Sequence, residues 1–257
     1  MSAKQIKTII LCGGIGYRLK EETEFKPKPM IEIGGMPIIW HIMKIYSHYG
    51  FHDFIIALGY KGNLIKDYFL KYHYYGTDFT LDSGIKKTKF YKKNMDKFKI
   101  TFVDTGSESM TGERVRRIRS YINEDYFMVT YGDGLANINI NDLFKFHKDK
   151  KKLGTVTGVY PQMKYGGLDG RGGLVTNFEK KTKIRQLING GFMVFKKKVF
   201  DYIEKDSMIE DVFDPLISKN ELALYEHKGF FHAMDTYADM EDLNKKWRKN
   251  PTWKIWS

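Results

Sequence analysis

The sequence predicts an α/β fold: a mixed, mainly parallel sheet with helices on both faces, and a small β-rich subregion after residue 153. Three observations carry this. Short apolar runs of strand length alternate with longer segments of helical spacing through the first 150 residues, strand-like runs end in glycine-rich turns, and strand-like runs dominate beyond residue 153. Such alternation implies βαβ units, with parallel strands joined by right-handed crossovers.

Ile6 to Cys12 is a β-rich run ending at Gly13 and Gly14. Pro37 to Tyr49 has bulky apolar residues at Ile38, Ile39, Ile42, Met43 and Tyr46, which is helical spacing, and Gly50 supplies the stop. Phe54 to Leu58 reads as a second buried strand and Asn63 to Tyr72 as a second helix. Lys99 to Val103 reads as a strand, Glu113 to Ile122 as a helix, Phe127 to Tyr131 as a strand and Asn141 to Lys150 as a helix. His73 to Phe98, aromatic and lysine-rich, breaks the rhythm and reads as an insertion or β-hairpin excursion available for subunit contacts. Later strands are expected at Gly154–Tyr160, Gly173–Phe178 and Gly191–Phe195, with helices at Lys197–Lys205 and near the carboxyl end. No repeat or Pro/Ser-rich linker divides the chain, so one domain covering 1–257 is expected.

With 42% hydrophobic and 15% aromatic residues, the 257-residue chain supports a substantial buried core. Its longest apolar runs, Thr8 to Cys12 and Phe54 to Leu58, fall far short of the ~20 residues that span a bilayer. The amino terminus runs straight into a strand, without the longer apolar stretch of a secretory signal. Cys12 is the lone cysteine, so no intramolecular disulfide forms and a reducing cytoplasm fits best. A net charge of +12 suggests a polyanionic partner. The lysines are scattered among acids and no nucleic-acid motif accompanies them, which favours phosphorylated small molecules over nucleic acid or membrane.

The most informative stretch is LCGGIGYRLKEETEFKPKPM, residues 11 to 30. Gly13, Gly14 and Gly16 remove side chains where a backbone must approach a ligand, so successive N–H groups can face phosphate oxygens. Arg18 adds a charged fork, and Lys26 and Lys28 stand on a segment stiffened by Pro27 and Pro29. This is neither a P-loop nor a full GxGxxG, since Leu19 stands where a third glycine is needed. A glycine-rich turn after a strand is on its own an ordinary structural feature. Its combination with Arg18 and KPKPM is the specific signal.

That stretch resembles the signature of the sugar-1-phosphate nucleotidylyltransferases, GGxGTRL followed by a KP motif. More narrowly, KPKPMIEIGGMPIIWHIMKIYSHYG (26–50), GYKG (59–62), VDTGSESMTGERVRR (103–117), YGDG (131–134), INGGF (188–192) and MDT (234–236) resemble the glucose-1-phosphate cytidylyltransferases. These blocks keep their order over essentially the whole chain. The resemblance implies a Rossmann-like sheet of the nucleotide-diphospho-sugar transferase type, CTP and a sugar 1-phosphate as substrates, Mg²⁺ as cofactor and a homo-oligomer. It implies that Leu11, Cys12, Gly13, Gly14, Ile15, Gly16, Tyr17, Arg18, Lys28, Ser109, Thr111, Gly112, Arg114 and Gly132 bind the nucleotide. It assigns the sugar phosphate to Tyr165, Gly166, Glu179, Lys180, Asn189 and Gly190, and the metal to Asp133 and Asp235. Arg18, Lys28, Asp133 and Asp235 are then the catalytic set.

The chemistry these residue types can perform agrees. Phosphoryl-type transfer needs charge neutralisation and positioning more than covalent catalysis, and Mg²⁺ on one or two carboxylates supplies the first. A phosphate monoester is already ionised near neutral pH, so no general base is required, and His41, His48 and His232 are expected to pack or face solvent. Blander readings stay open. An Asp-Gly pair makes ordinary turns, Asp-Thr starts helices, Arg114 fits a helix surface, and Glu179-Lys180 fits a solvated loop. Three features depart from the family pattern: Tyr17 stands for the usual Thr; EKP becomes Glu179-Lys180-Lys181, with the loop to INGGF shorter by a residue; and the segment before Asp214-Pro215-Leu216 differs from the glucose-specific pattern. The same reaction with UTP or dTTP, another phosphorylated acceptor, and a non-catalytic nucleotide-sugar-binding protein are the alternatives.

Overall fold

A computed structural model describes residues 6–14, 16, 19–91, 96–161, 166–179 and 186–256. In chain order the elements begin with β1 (Lys7–Cys12), α1 (Lys20–Thr23), β2 (Glu32–Ile33), β3 (Met36–Pro37), α2 (Ile38–His48), β4 (Asp53–Leu58), α3 (Gly62–Leu70) and α4 (Tyr72–Tyr75). Next come β5 (Phe79–Asp82), β6 (Lys87–Phe90), β7 (Lys99–Asp104), α5 (Thr111–Arg117), β8 (Tyr126–Tyr131), β9 (Gly134–Ala136) and α6 (Ile140–Lys150). The remainder is β10 (Gly154–Val159), β11 (Gly167–Arg171), β12 (Leu174–Glu179), β13 (Ile188–Lys196), α7 (Phe213–Ser218), β14 (Leu222–His227), β15 (Phe231–Ala233) and α8 (Tyr237–Lys249).

Seven strands form one sheet in the order β14-β10-β13-β8-β1-β4-β7. β1 lies parallel to β4 and β8, β4 to β7, and β10 to β14. β13 alone runs against its neighbours β8 and β10. The expected mixed, mainly parallel sheet is therefore present. From β1 the chain steps outward through β4 to β7, then returns to β8 on the other side of β1. Strand order reverses there, and in open α/β sheets ligands bind beyond the carboxyl ends of the strands at such a point.

The central strands are apolar on both faces because both faces are covered. Ile10, Cys12, Phe54, Ile56 and Leu58 pack with Ile38, Ile39, Ile42, Met43 and Tyr46 of α2 in one core. The alternate residues Ile9, Leu11, Ile55 and Ala57 pack with Val115 and Ile118 in a second core on the opposite face. α2 opens directly after Pro37, whose ring cannot donate to a preceding turn, and Gly50 (φ +89°) lies just past its end. His41 is buried against Trp40 and Trp247, with Nε2 2.8 Å from the Ile33 carbonyl oxygen, so it packs as expected.

Two helices differ from expectation. The segment 113–122 is a seven-residue α5 that starts at Thr111, followed by a 3-10 turn at Arg119–Tyr121. Residues 197–205 hold only a 3-10 turn, Lys197–Tyr202. Within 73–98, β5 and β6 form an antiparallel hairpin. No helix among the described residues is long and apolar enough to cross a membrane.

Candidate active site

A cleft of about 400 Å³ lies at the carboxyl ends of β1 and β8, lined among others by Leu11, Cys12, Gly13, Gly14, Gly16, Lys28 and Pro29. Its other wall is Ser109, Met110, Thr111 and Arg114, then Tyr131, Gly132, Asp133 and Met208. Gly132 belongs there for packing reasons: a Cβ would stand 2.8 Å from the Leu11 carbonyl oxygen and 3.0 Å from Pro29, closing β8 off from β1. Cys12 forms part of the floor, and burial pushes its thiol far above the ordinary range, so it is a packing group rather than a nucleophile.

Two carboxylates 102 positions apart in the sequence meet in this cleft. Lys28 Nζ donates to Asp133 Oδ2 at 2.6 Å and to Asp235 Oδ1 at 2.9 Å. The convergence is built by the backbone. β9 pairs antiparallel with β15, setting Gly134 opposite Ala233, and Met234 N–H donates to the Asp133 carbonyl oxygen at 2.9 Å. Thr236 caps α8 in a reciprocal box with Asp239, so Thr236 takes the helix-starting role and Asp235 is left to face Lys28. Lys28 is held in a 3-10 turn directly after Pro27. Burial would lower its ammonium, but Asp133 and Asp235 outweigh burial and push it above its ordinary value. Lys26 turns away and pairs with Glu32 at 3.4 Å.

Arg114 is buried, and its guanidinium is directed at the protein. Nη1 donates to the Leu58 carbonyl oxygen (3.1 Å), Thr105 Oγ1 (2.8 Å) and the Gly106 carbonyl oxygen (2.6 Å). Nη2 donates to the carbonyl oxygens of Gly13 (3.0 Å) and Ser107 (3.2 Å). One side chain thus ties together the loops that follow β1, β4 and β7. Two glycines make room for it: a Cβ on Gly13 would lie 2.0 Å from Nη1, and one on Gly59 2.6 Å. The first glycine of GYKG is there because the guanidinium passes over it.

Leu11 to Gly14, Gly16, Lys28, Ser109, Thr111, Arg114, Gly132 and Asp133 all line the cleft, and Asp235 joins through Lys28. Gly112 lies beneath it, where a Cβ would press on the Met208 carbonyl oxygen at 2.6 Å. Ile15, Tyr17, Arg18, Tyr165 and Lys180 lie outside the described residues. Gly166 and Glu179 stand at the base of the β11–β12 hairpin, where Gly167 pairs with Glu179, and neither lines the cleft. Asn189 and Gly190 lie on β13, beside Tyr131. Sequence reading passed over Pro29, Met110, Tyr131 and Met208 as lining residues. The first three sit inside motifs already singled out. Met208 carries no sequence signal, because the link from Ile209 N–H to Thr111 Oγ1 (2.9 Å) spans distant parts of the chain.

A larger cleft of about 940 Å³ lies beside Trp40, Tyr72 and Trp256. Its Asp96 is already engaged by Lys44 (2.5 Å), Tyr72 (2.6 Å) and Trp40 (2.9 Å), so the converging carboxylates distinguish the smaller one.

A bare-backbone turn, a lysine and two converging carboxylates at a strand switch point define a nucleotide-handling enzyme of the phosphoryl-transfer class. Residues 7–254 match the nucleotidyl transferase family model, and the chain belongs to that family. It is 44% identical over 98% of its length to the whole of a Bacillus subtilis (strain 168) protein named a probable glucose-1-phosphate cytidylyltransferase. It is 43% identical, again over 98%, to the whole glucose-1-phosphate cytidylyltransferase of Salmonella typhimurium (strain LT2). Among solved structures, a UDP-glucose pyrophosphorylase complexed with UDP-glucose superposes with a TM-score of 0.69 at 15% identity, covering 95% of this chain and 98% of that one. An inositol-1-phosphate CTP transferase from T. maritima gives 0.65 at 15% identity, covering 96% and 98%. These structures establish the shared fold. Nucleotidyltransferases of this family generally use a divalent metal ion.

Proposed function

We propose that the protein transfers a cytidylyl group from CTP to a sugar 1-phosphate, with α-D-glucose 1-phosphate as the acceptor, releasing pyrophosphate and a CDP-sugar. The observation that carries this reading is the meeting of Asp133 and Asp235 on Lys28, beside the glycine-rich turn, in a chain whose full-length relatives bear that activity in their names. An oxygen of the sugar phosphate attacks the α-phosphorus in line. That P–O bond forms as the bond to the bridging oxygen breaks, and the electron pair leaves with pyrophosphate. Backbone N–H groups from Gly13 onward orient the triphosphate, and Lys28 offsets its charge. Arg18, in the same sequence stretch, is assigned the same work. Ser109, Thr111 and the backbone from Leu11 frame the base, and Glu179, Lys180 and Asn189 hold the acceptor.

Mg²⁺ fits this donor set. Two carboxylates already share one cation, and Mg²⁺ typically takes one or two carboxylates together with substrate phosphates. Among the described residues no cluster of three or more His, Cys, Asp or Glu offers a closed all-protein cage instead. Asp133 and Asp235 would hold the ion, which supplies charge neutralisation on the triphosphate.

The whole chain acts as one domain, in the cytoplasm, and as a homo-oligomer whose contacts include the 73–98 excursion. Its Leu81 (61% exposed) and Ile85 (70%) stand in solvent, and sedimentation that gives a monomer would reject the oligomer. The functional test is pyrophosphate release over a grid of four nucleoside triphosphates and several sugar 1-phosphates. Release with CTP and glucose 1-phosphate is expected. Release with UTP or dTTP alone would change the base, and silence throughout would leave a nucleotide-sugar-binding protein.

A further inference from the structure

Tyr131, the first residue of YGDG, does more than line the cleft. Its hydroxyl donates to Glu210 Oε1, a residue of the 3-10 turn Ile209–Val212. The single hydroxyl hydrogen is therefore committed to the carboxylate, and only lone pairs face the other way. Asn189 Nδ2 donates to that oxygen at 3.3 Å. The other end of the amide is fixed as well, because Gly191 N–H donates to Asn189 Oδ1 at 2.9 Å. Gly191 is left-handed (φ +78°), and a Cβ there would meet the Tyr131 ring at 2.3 Å, so the second glycine of INGG is what lets the ring lie over β13.

An amide carries two N–H donors and one carbonyl oxygen. At Asn189 the oxygen and one donor are engaged inside the protein, which leaves one N–H in a defined direction. We infer that Tyr131 and Glu210 are positioning residues that orient the Asn189 amide toward a hydroxyl of the bound sugar 1-phosphate. This deepens the cytidylyltransferase reading and rests on it.

The test measures KM for glucose 1-phosphate and for CTP separately. Losing one oriented hydrogen bond corresponds to about a tenfold change. Tyr131→Phe is expected to raise KM for glucose 1-phosphate about tenfold and leave KM for CTP within about twofold. That variant also strands a carboxylate whose Oε2 is already buried without a partner among the described residues. The double variant Tyr131→Phe/Glu210→Leu removes both polar partners and restores a matched apolar contact. Its KM for glucose 1-phosphate stays high if orientation is what was lost. Glu210→Gln still accepts from the Tyr131 hydroxyl and keeps KM near wild type. Recovery in the double variant, an unchanged KM in Tyr131→Phe, or parallel rises for both substrates would overturn this inference alone. A wild type that turns over no sugar 1-phosphate would overturn the functional reading and this inference together.

Discussion

At Lys28 a half-buried ammonium lies between two carboxylates, and neither carboxylate has a second ammonium within reach among the described residues. Two carboxylates against one ammonium leave a net negative charge, which the proposed divalent ion would offset. Asp133→Asn keeps the shape and the turn but halves the negative charge facing Lys28. It is expected to lower turnover by at least on the order of 10²-fold with little change in thermal midpoint. Full activity in a folded, metal-saturated Asp133→Asn would contradict this. Arg114 gives the complementary case. Its motif, SMTGER, pointed to the nucleotide, while its buried guanidinium holds the backbone that forms the cleft. Gly59→Ala places a Cβ 2.6 Å from Nη1 and 2.7 Å from the Gly13 carbonyl oxygen. Overpacking of this kind costs about 1–3 kcal/mol. The variant is expected to melt earlier and to bind CTP more weakly by calorimetry, although residue 59 does not line the cleft. Unchanged CTP affinity would show that the clamp does not set the loop.

Among the elements, those with a strong local pattern were legible in the sequence. β1, α2, β4, β8 and α6 fall within a residue or two of expectation, because each carries a full apolar face bounded by Pro, Gly or a polar cap. β9, β14 and β15 were not. The three-residue strands Gly134–Ala136 and Phe231–Ala233 have no periodicity to read, and they exist only because they pair with each other across the chain. That pairing brings Asp235 to Asp133, so the two carboxylates were readable by motif while the means of joining them was not. The helices carry a pH dependence. Burial holds His41 on α2 and His147 on α6 down at about 4. An unfolded His titrates near ~6.5, so between those values the unfolded chain binds protons the folded chain refuses. Stability contributed by neutral His41 and His147 is present above pH ~6.5 and is lost as pH falls toward 4. Thermal midpoints measured from pH 7 to 4 should fall, and His41→Gln should fall less steeply. An equal slope in that variant would remove His41 from the cause.

For the whole molecule, the reversal of strand order between β1 and β8 places the glycine-rich turn, the KPKPM segment and the YGDG turn around one opening. The sequence placed both turns at the ends of strand-like runs, while the adjacency of β1 and β8 that joins them is set by the sheet order. The acceptor side was less legible. Gly166 and Glu179 sit on a hairpin apart from the cleft, while Asn189 reaches it through Tyr131, a contact no motif announces. The proposed function makes one physical demand, that Asp133 and Asp235 together hold a divalent ion against the triphosphate of CTP. Mn²⁺ titration followed by electron paramagnetic resonance, with CTP present, measures this in the wild type, Asp133→Asn, Asp235→Asn and the double variant. Each single variant should lose at least about tenfold in Mn²⁺ affinity, with little further loss in the double. Wild-type Mn²⁺ affinity in Asp235→Asn would contradict the shared site.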